Sequence, residues 1–189
     1  MHEYVSQALV LSLKPYRGDD RTVELFTKEL GRLEARVVAG RKTLSKVAPH
    51  LNPWDIVTVR LVRKKAFIVA DAIAARRHKP LRLNGRSFFT SLEILFLIRF
   101  MTPLLEPDLQ VWFFLEEIQK NGLTNGRTKK KKEDGAVRQL LKIIGYDSSY
   151  AVCAQCGAKD VGAFVLGDHE FVCAKCATKF ERNALLSIT

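Results

Sequence analysis

The chain has 189 residues, 47% of them hydrophobic and 27% charged, a balance that suits one or two soluble globular domains and argues against a disordered tail. Its longest run free of Asp, Glu, Lys and Arg is eleven residues, Ser148 to Ala158. A membrane span needs roughly 18 or more apolar residues, so no transmembrane helix is expected. Net charge is +11, with 18 Lys and Arg against 8 Asp and Glu up to Arg86, and 13 against 12 beyond it. A basic first half joined to a near-neutral second half suggests polyanion binding by the former and folding or protein contacts by the latter. The plainer reading of the same charge is a solvated basic surface with no nucleic-acid partner. The opening Met1-His2-Glu3-Tyr4 lacks the basic start and apolar run of a signal peptide, which predicts a protein that stays inside the cell.

The first 75 or so residues alternate as strands do. In Tyr4 to Lys14 the pattern places Val5, Leu9, Leu11 and Leu13 on one face, with Ala8 and Val10 implying burial on both sides for part of the run. Arg17-Gly18-Asp19-Asp20 reads as a turn. A second strand then carries Val23 and Leu25, and Thr27 to Gly31 a hairpin turn. Arg32 to Ala39 alternates most cleanly, with Leu33, Ala35 and Val37 inward and Arg32, Glu34 and Arg36 outward in water. Gly40 to Trp54, with Pro49 and Pro53, is an irregular or short-helical link. Ile56 to Val62 and Ala66 to Ala74 are two further strands, joined by the basic turn Arg63-Lys64-Lys65. Five short strands fit an OB-type barrel, and an SH3-like barrel has about as many.

From Ser87 the period becomes helical. Thr90-Ser91-Leu92-Glu93 has capping-box spacing, ahead of an apolar surface of Leu92, Leu95, Phe96 and Ile98 that Pro103 ends. Pro107-Asp108 opens a second helix whose Leu109, Val111, Trp112, Phe113, Leu115 and Ile118 are expected to be buried on more than one side. Gly135 to Gly145 is a third, with Val137, Leu140, Leu141 and Ile144 on one stripe. The fold class predicted is α+β: an N-terminal OB-type five-stranded barrel followed by a small helical domain that carries a four-cysteine zinc ribbon. Its segments are residues 1–80 for the barrel, 81–149 for the helices with a basic linker at 121–134, 150–180 for the zinc segment, and 181–189 for a C-terminal tail.

The four cysteines of the chain stand as Cys153-x-x-Cys156 and Cys173-x-x-Cys176, sixteen residues apart. Each knuckle turns two thiolates toward one point, and two knuckles complete a tetrahedron around zinc. A pair of disulfides or two redox sites are the competing readings. Four protein ligands leave no open position, so one structural Zn2+ per chain is expected. Phe164, Val165, Phe171 and Val172 look like the hairpin between the knuckles, and His169 is a conceivable extra ligand.

Taken in order, these pieces resemble the RecO family of bacterial recombination mediators. Leu25-Phe26-Thr27-Lys28-Glu29-Leu30-Gly31-Arg32-Leu33 resembles the family's second hairpin. Gly40-Arg41-Lys42, Ser45-Lys46 and His50 to Trp54 resemble its following link. Leu140-Leu141-Lys142-Ile143-Ile144-Gly145-Tyr146 leading into Cys153 is similar to the family's approach to its zinc knuckles. The chain stops thirteen residues after Cys176, where family members commonly continue, and so reads as a shortened member.

The resemblance implies a non-enzymatic protein that binds single- and double-stranded DNA, promotes strand annealing and, with RecR, assists RecA loading in recombinational repair. Its implied partners are DNA, RecR, single-stranded-DNA-binding protein and RecA, with no membrane and no small-molecule substrate, in the bacterial cytoplasm at the nucleoid. The candidate phosphate contacts are Arg17, Arg21, Lys28, Arg32, Arg36, Arg41, Lys42, Lys46, Arg63, Lys64, Lys65, Arg76 and Arg77. Lys129 to Lys132 is a further basic run, and Tyr16 is the barrel aromatic expected at the surface. A zinc-ribbon OB-fold adaptor for RNA or a ribosome is the alternative function. Catalysis is not expected: there is no Gly-rich phosphate loop, no Gly-x-Ser-x-Gly and no partnered histidine.

Overall fold

The computed structural model describes residues 2–76, 85–121 and 135–188. The chain divides into two compact units, 1–120 and 121–189. In the first, strands β1 (His2–Pro15), β2 (Arg21–Thr27), β3 (Gly31–Val37), β4 (Ile56–Arg63) and β5 (Phe67–Arg76) close into a barrel of order β1-β2-β3-β5-β4. Closure works because β1 is long enough to serve two neighbours. His2 to Leu9 pair antiparallel with β4, and Ala8 to Pro15 pair antiparallel with β2. The parallel contact of β3 with β5, Ala35 opposite Phe67 and Arg36 opposite Ile68, completes the OB-type order.

Alternation fills the barrel with Val23 and Leu25 from β2, Leu33, Ala35 and Val37 from β3, and Val57, Val59 and Leu61 from β4. Strand β1 departs from the face expected of it. Ala8 and Val10 enter the interior, with Tyr4 and Leu13 partly buried against it, while Val5 is 67% exposed. The register of β1 on β2 shifts between Val10 and Ser12, which reverses the inside parity and brings in Leu13. Leu9 and Leu11 are buried, but outside this cluster, as is Phe26, the partner of Leu9 across the ladder. Burial on both sides of the middle of β1 is therefore observed.

Helices α1 (Gly85–Met101) and α2 (Leu109–Asn121) belong to the same unit. Helix α1 already runs at Gly85, so Thr90 lies within it and is no cap; the capping-box spacing arises inside the helix. Ile94, Leu95, Leu97 and Ile98 are buried, but Leu92 and Phe96 are exposed together with Phe89 and Phe100. Asp108 caps α2 as its position suggests, its Oδ1 accepting from the N–H groups of Gln110 (2.9 Å) and Val111 (3.1 Å). Val111, Trp112, Leu115 and Ile118 are buried, whereas Leu109 and Phe113 are not. Both corrections have one cause: each helix buries a single stripe and leaves the positions opposite it, Leu92 and Phe96 in α1 and Leu109 and Phe113 in α2, exposed.

Several ties join barrel and helices. The Glu24 carboxylate receives Arg32 Nη1 at 2.9 Å and Arg99 Nε at 2.6 Å. Arg32 Nε donates to the Thr102 carbonyl at 2.9 Å, and Leu105 N–H to the Arg32 carbonyl at 2.8 Å. Gln119 Nε2 donates to the Trp54 carbonyl at 2.5 Å. Finally, Gly31, at φ +69°, sits where an added Cβ would lie 2.1 Å from the Glu106 carbonyl oxygen. Only glycine fits that approach.

In the second unit, α3 (Ala136–Ile143) buries Val137, Leu140 and Leu141. Strands β6 (Ala163–Val165), β7 (Glu170–Val172) and β8 (Leu185–Ser187) form an antiparallel sheet of order β7-β6-β8, and α4 (Ala174–Ala177) follows β7. Strand β8 lies within 181–189, where no element was expected.

Candidate metal centre and nucleic-acid interface

Each cysteine pair sits on a tight turn. At the first, Gly157 N–H donates to the Cys153 carbonyl and Cys153 N–H to the Ala158 carbonyl, both at 2.8 Å, with Gly157 at φ +73°. At the second, Cys173 precedes the short α4 and its carbonyl accepts from Ala177 N–H at 2.9 Å. The hairpin β6–β7 brings the two turns together, so the four Sγ atoms lie within 4.8 Å of one another, with Cys156 and Cys173 3.7 Å apart. No two are disulfide-bonded.

Tetrahedral thiolates at the Zn–S distance of about 2.3 Å stand about 3.8 Å apart, so the cluster fits such an ion with modest tightening. The thiols are not equivalent. Backbone N–H donation, chiefly from Cys173, draws Cys153 down to about 6, and donation from Cys176 lowers Cys173. Burial, reinforced by the neighbouring sulfurs, pushes Cys176 up to about 12. Four adjacent thiolates need a cation to coexist, a charge that a divalent metal held by these cysteines would supply. Ala163, Val165 and Val172 pack around the sulfurs, with Phe180 and Leu185 partly buried against them. His169 is not part of the cluster. Its Nδ1 lies 3.2 Å from the Tyr146 hydroxyl and its ring stacks on Phe164, a small aromatic group that the sequence did not reveal.

The expected phosphate contacts do not share one face. Arg17, Arg21, Arg36, Arg41 and Lys42 gather where the β1–β2 turn meets the start of the β3–β4 link. Lys14, which the strand reading passed over, is exposed beside them. Asp20 organises this end: its Oδ1 accepts Ala39 N–H at 2.8 Å and its Oδ2 takes the Arg36 guanidinium. The Ala39 N–H and Arg36 hold its carboxyl below the usual range against the opposing effect of burial. Arg41 N–H donates to the Asp19 carbonyl at 2.7 Å, and Lys42 Nζ lies 3.7 Å from the Asp19 carboxylate. Tyr16 is 45% exposed, with the Arg17 guanidinium 6.0 Å from its ring centre.

At the other end of β1, Arg63, Lys64 and Lys65 are exposed on the β4–β5 turn, Arg63 lying 5.2 Å from the buried ring of Phe67. Lys46 is exposed in the β3–β4 link, Arg76 at the end of β5, and Lys28 is half-buried at the β2–β3 turn with Nζ 6.0 Å from the Phe113 ring. Arg32 is different: its side chain is 18% exposed and its guanidinium is committed to Glu24 and Thr102. The face expected to be wet is covered there. Arg77, most of the linker at 121–134 and Lys129 to Lys132 lie outside the described residues. Among the described residues, no helix is long and apolar enough to cross a membrane.

Comparison with known proteins matches residues 1–68, which take in β1 to β4 and the start of β5, to the family "Recombination protein O N terminal". A DNA repair protein RecO from Pelobacter propionicus is 28% identical over 180 residues, covering 93% of this chain and 73% of its own length. Proteins of the same name from Cutibacterium acnes and Thermodesulfovibrio yellowstonii are each 27% identical, over 83% and 97% of this chain and 67% and 74% of their own lengths.

Proposed function

Because the chain belongs to the RecO family, we propose that it acts in DNA repair as a non-enzymatic recombination mediator that binds single- and double-stranded DNA and anneals complementary strands. With RecR it assists the loading of RecA, in the cytoplasm at the nucleoid, and single-stranded-DNA-binding protein is a further partner. One observation carries the reading: the segment matched to the family is an OB-order barrel that carries exposed, clustered Lys and Arg.

Cations on the barrel neutralise phosphates without reading bases. Complementary strands repel through their phosphates, so covering part of that charge lowers the barrier to encounter and leaves the base edges free to pair. The contacts assigned are Arg17, Arg21, Arg36, Arg41, Lys42, Lys46, Arg63, Lys64, Lys65 and Arg76, with Lys14 added and Lys28 at the margin. Arg32 is left out because its guanidinium is bound and its side chain is 18% exposed, whereas Arg36, bound to Asp20, is 50% exposed. Zinc, one ion per chain held by Cys153, Cys156, Cys173 and Cys176, folds the second unit and takes no part in DNA chemistry.

Annealing of naked complementary strands, followed without ATP, tests this. The wild type is expected to accelerate it, with log K for single strands falling against log salt at a slope of about −3 to −4 for four to six phosphate contacts. Arg63→Glu/Lys64→Glu/Lys65→Glu should slow annealing more than the same changes at Lys129, Lys130 and Lys131. No acceleration at any concentration overturns the mediator reading, and tighter binding to matched RNA than to DNA favours the adaptor.

A further inference from the structure

Resting on the reading that the barrel binds nucleic acid, we propose that its two ends take different ligands. The β1–β2 end is a single-strand site that stacks a base on Tyr16, and the β4–β5 turn is a phosphate site indifferent to strandedness. The two ends are separated by the whole of β1: Pro15 pairs with Arg21 at one, His2 with Arg63 at the other. Fourteen residues of strand correspond to about 40 Å of extended chain, though β1 curves around the barrel.

The ends differ in what they can offer a base. An aromatic ring stacks on a base only where the base has an uncovered face, which an open strand provides and the interior of a duplex does not. Of the barrel's rings, Phe26, Trp54 and Phe67 are buried and Tyr4 packs against the core; Tyr16 is 45% exposed. It also stands on a fixed base. Tyr16 N–H donates to the Asp20 carbonyl at 3.0 Å and Asp20 N–H to the Arg17 carbonyl at 3.2 Å, closing the turn. Ala39 and Arg41 fasten that turn from the other side through their backbone N–H groups. Little order remains to be imposed on binding, which favours affinity. At this end of the barrel Lys14, Arg17 and Arg41 are exposed and Arg21 is half-buried; Asp20 is occupied by Arg36, and Asp19 lies near Lys42.

At the β4–β5 turn, Arg63, Lys64 and Lys65 carry charge without an exposed Phe, Tyr or Trp ring of the barrel beside them, since Phe67 is 7% exposed beneath Arg63 and Tyr4 packs against Phe67; the exposed ring at this end is the small imidazole of His2, opposite Arg63. Such a site neutralises phosphates of either form of DNA. One barrel thus holds an open strand at one end while the other gathers the backbone of a second strand or of the product duplex.

Fluorescence anisotropy on the full chain, with labelled oligothymidine and a duplex of equal length across a salt series, tests the assignment. Tyr16→Ala should weaken oligothymidine binding about tenfold, as expected for one lost base stack, and change duplex binding about twofold at most. Tyr16→Phe should restore the wild-type value, and thermal melting of both variants should match the wild type. Lys64→Glu/Lys65→Glu should weaken both ligands and reduce the salt slope on the duplex by about 2. Equal losses on both ligands in Tyr16→Ala, or no loss on oligothymidine, overturn the single-strand site while nucleic-acid binding stands. Unaltered binding in Lys64→Glu/Lys65→Glu overturns the second site. A wild type that binds neither ligand overturns the proposed function itself, and this inference with it.

Discussion

The two units hold themselves together by different means. The first packs a barrel interior of aliphatic side chains from all five strands and adds a helical layer tied on through Glu24, Arg32 and Arg99. The second has, among its described residues, three strands of three residues each, and its sheet packs around three buried cysteines with Phe180 and Leu185 partly buried beside them. Cohesion in the first is spread over many contacts; in the second, beside the apolar side chains of α3 and the ring of Phe164, it depends on four sulfur atoms held at one point. The lesson is that comparable substitutions should fail gradually in one unit and abruptly in the other.

Cys173→Ser breaks the comparison most severely. Structural zinc in small domains is worth about 10–16 kcal/mol of folding free energy. The variant should lose its metal and become protease-sensitive from Tyr150 to Phe180, while residues 1–120 melt as before. Metal analysis and limited proteolysis check this; wild-type protein with less than about half an equivalent of metal, or a variant equally resistant, would falsify the structural-metal reading.

Gly31→Ala is the severest single test of the first unit. Its Cβ would meet the Glu106 carbonyl, and alanine disfavours the positive φ, so a loss of about 3 kcal/mol is expected with metal content unchanged. Circular-dichroism melting reads it. Destabilisation under about 0.5 kcal/mol would mean that the hairpin and the α1–α2 connection separate easily.

A smaller effect, about 2 kcal/mol, is expected for Glu24→Gln, which leaves Arg32 and Arg99 without their shared counter-ion. Burial opposes ionisation of Glu24, but the two guanidinium groups outweigh it and hold its carboxyl below the ordinary glutamate value of 4.5. Its contribution is therefore full above about pH 4.5 and is lost as pH falls through the lowered value. Urea melts of the wild type between pH 6 and pH 3 should show this loss, and Glu24→Gln should flatten it. Parallel pH profiles would remove Glu24 from the account.

Local signals were legible where local spacing governs structure. The alternation of β3 and the two Cys-x-x-Cys knuckles are visible in a few adjacent residues, and the barrel and cysteine cluster follow from them. What escaped depends on distant partners. Arg32 reads as solvent-facing until Arg99 and Thr102, some seventy residues on, close over it. The inward face of β1 is set by a register shift that no single residue announces. Lys14 passes for an ordinary strand end until the ladder sets it opposite Thr22, which in turn pairs with Arg36 on β3.

Strand β8 has a practical consequence for experiments on the second unit. It pairs with β6 from Ala163 opposite Ser187 to Val165 opposite Leu185, and Ile188 N–H extends the ladder to the Gly162 carbonyl at 3.1 Å. Stripping it away would uncover a row of unpaired amides on β6, whose Ala163, Phe164 and Val165 are all apolar and buried. A bare, greasy edge of that kind recruits strands from other molecules and seeds aggregates. Residues 185–188 thus act as a sealing strip, and a purification tag or dye placed directly against them risks prising it open. Labels for the binding measurements are better carried on the oligonucleotide.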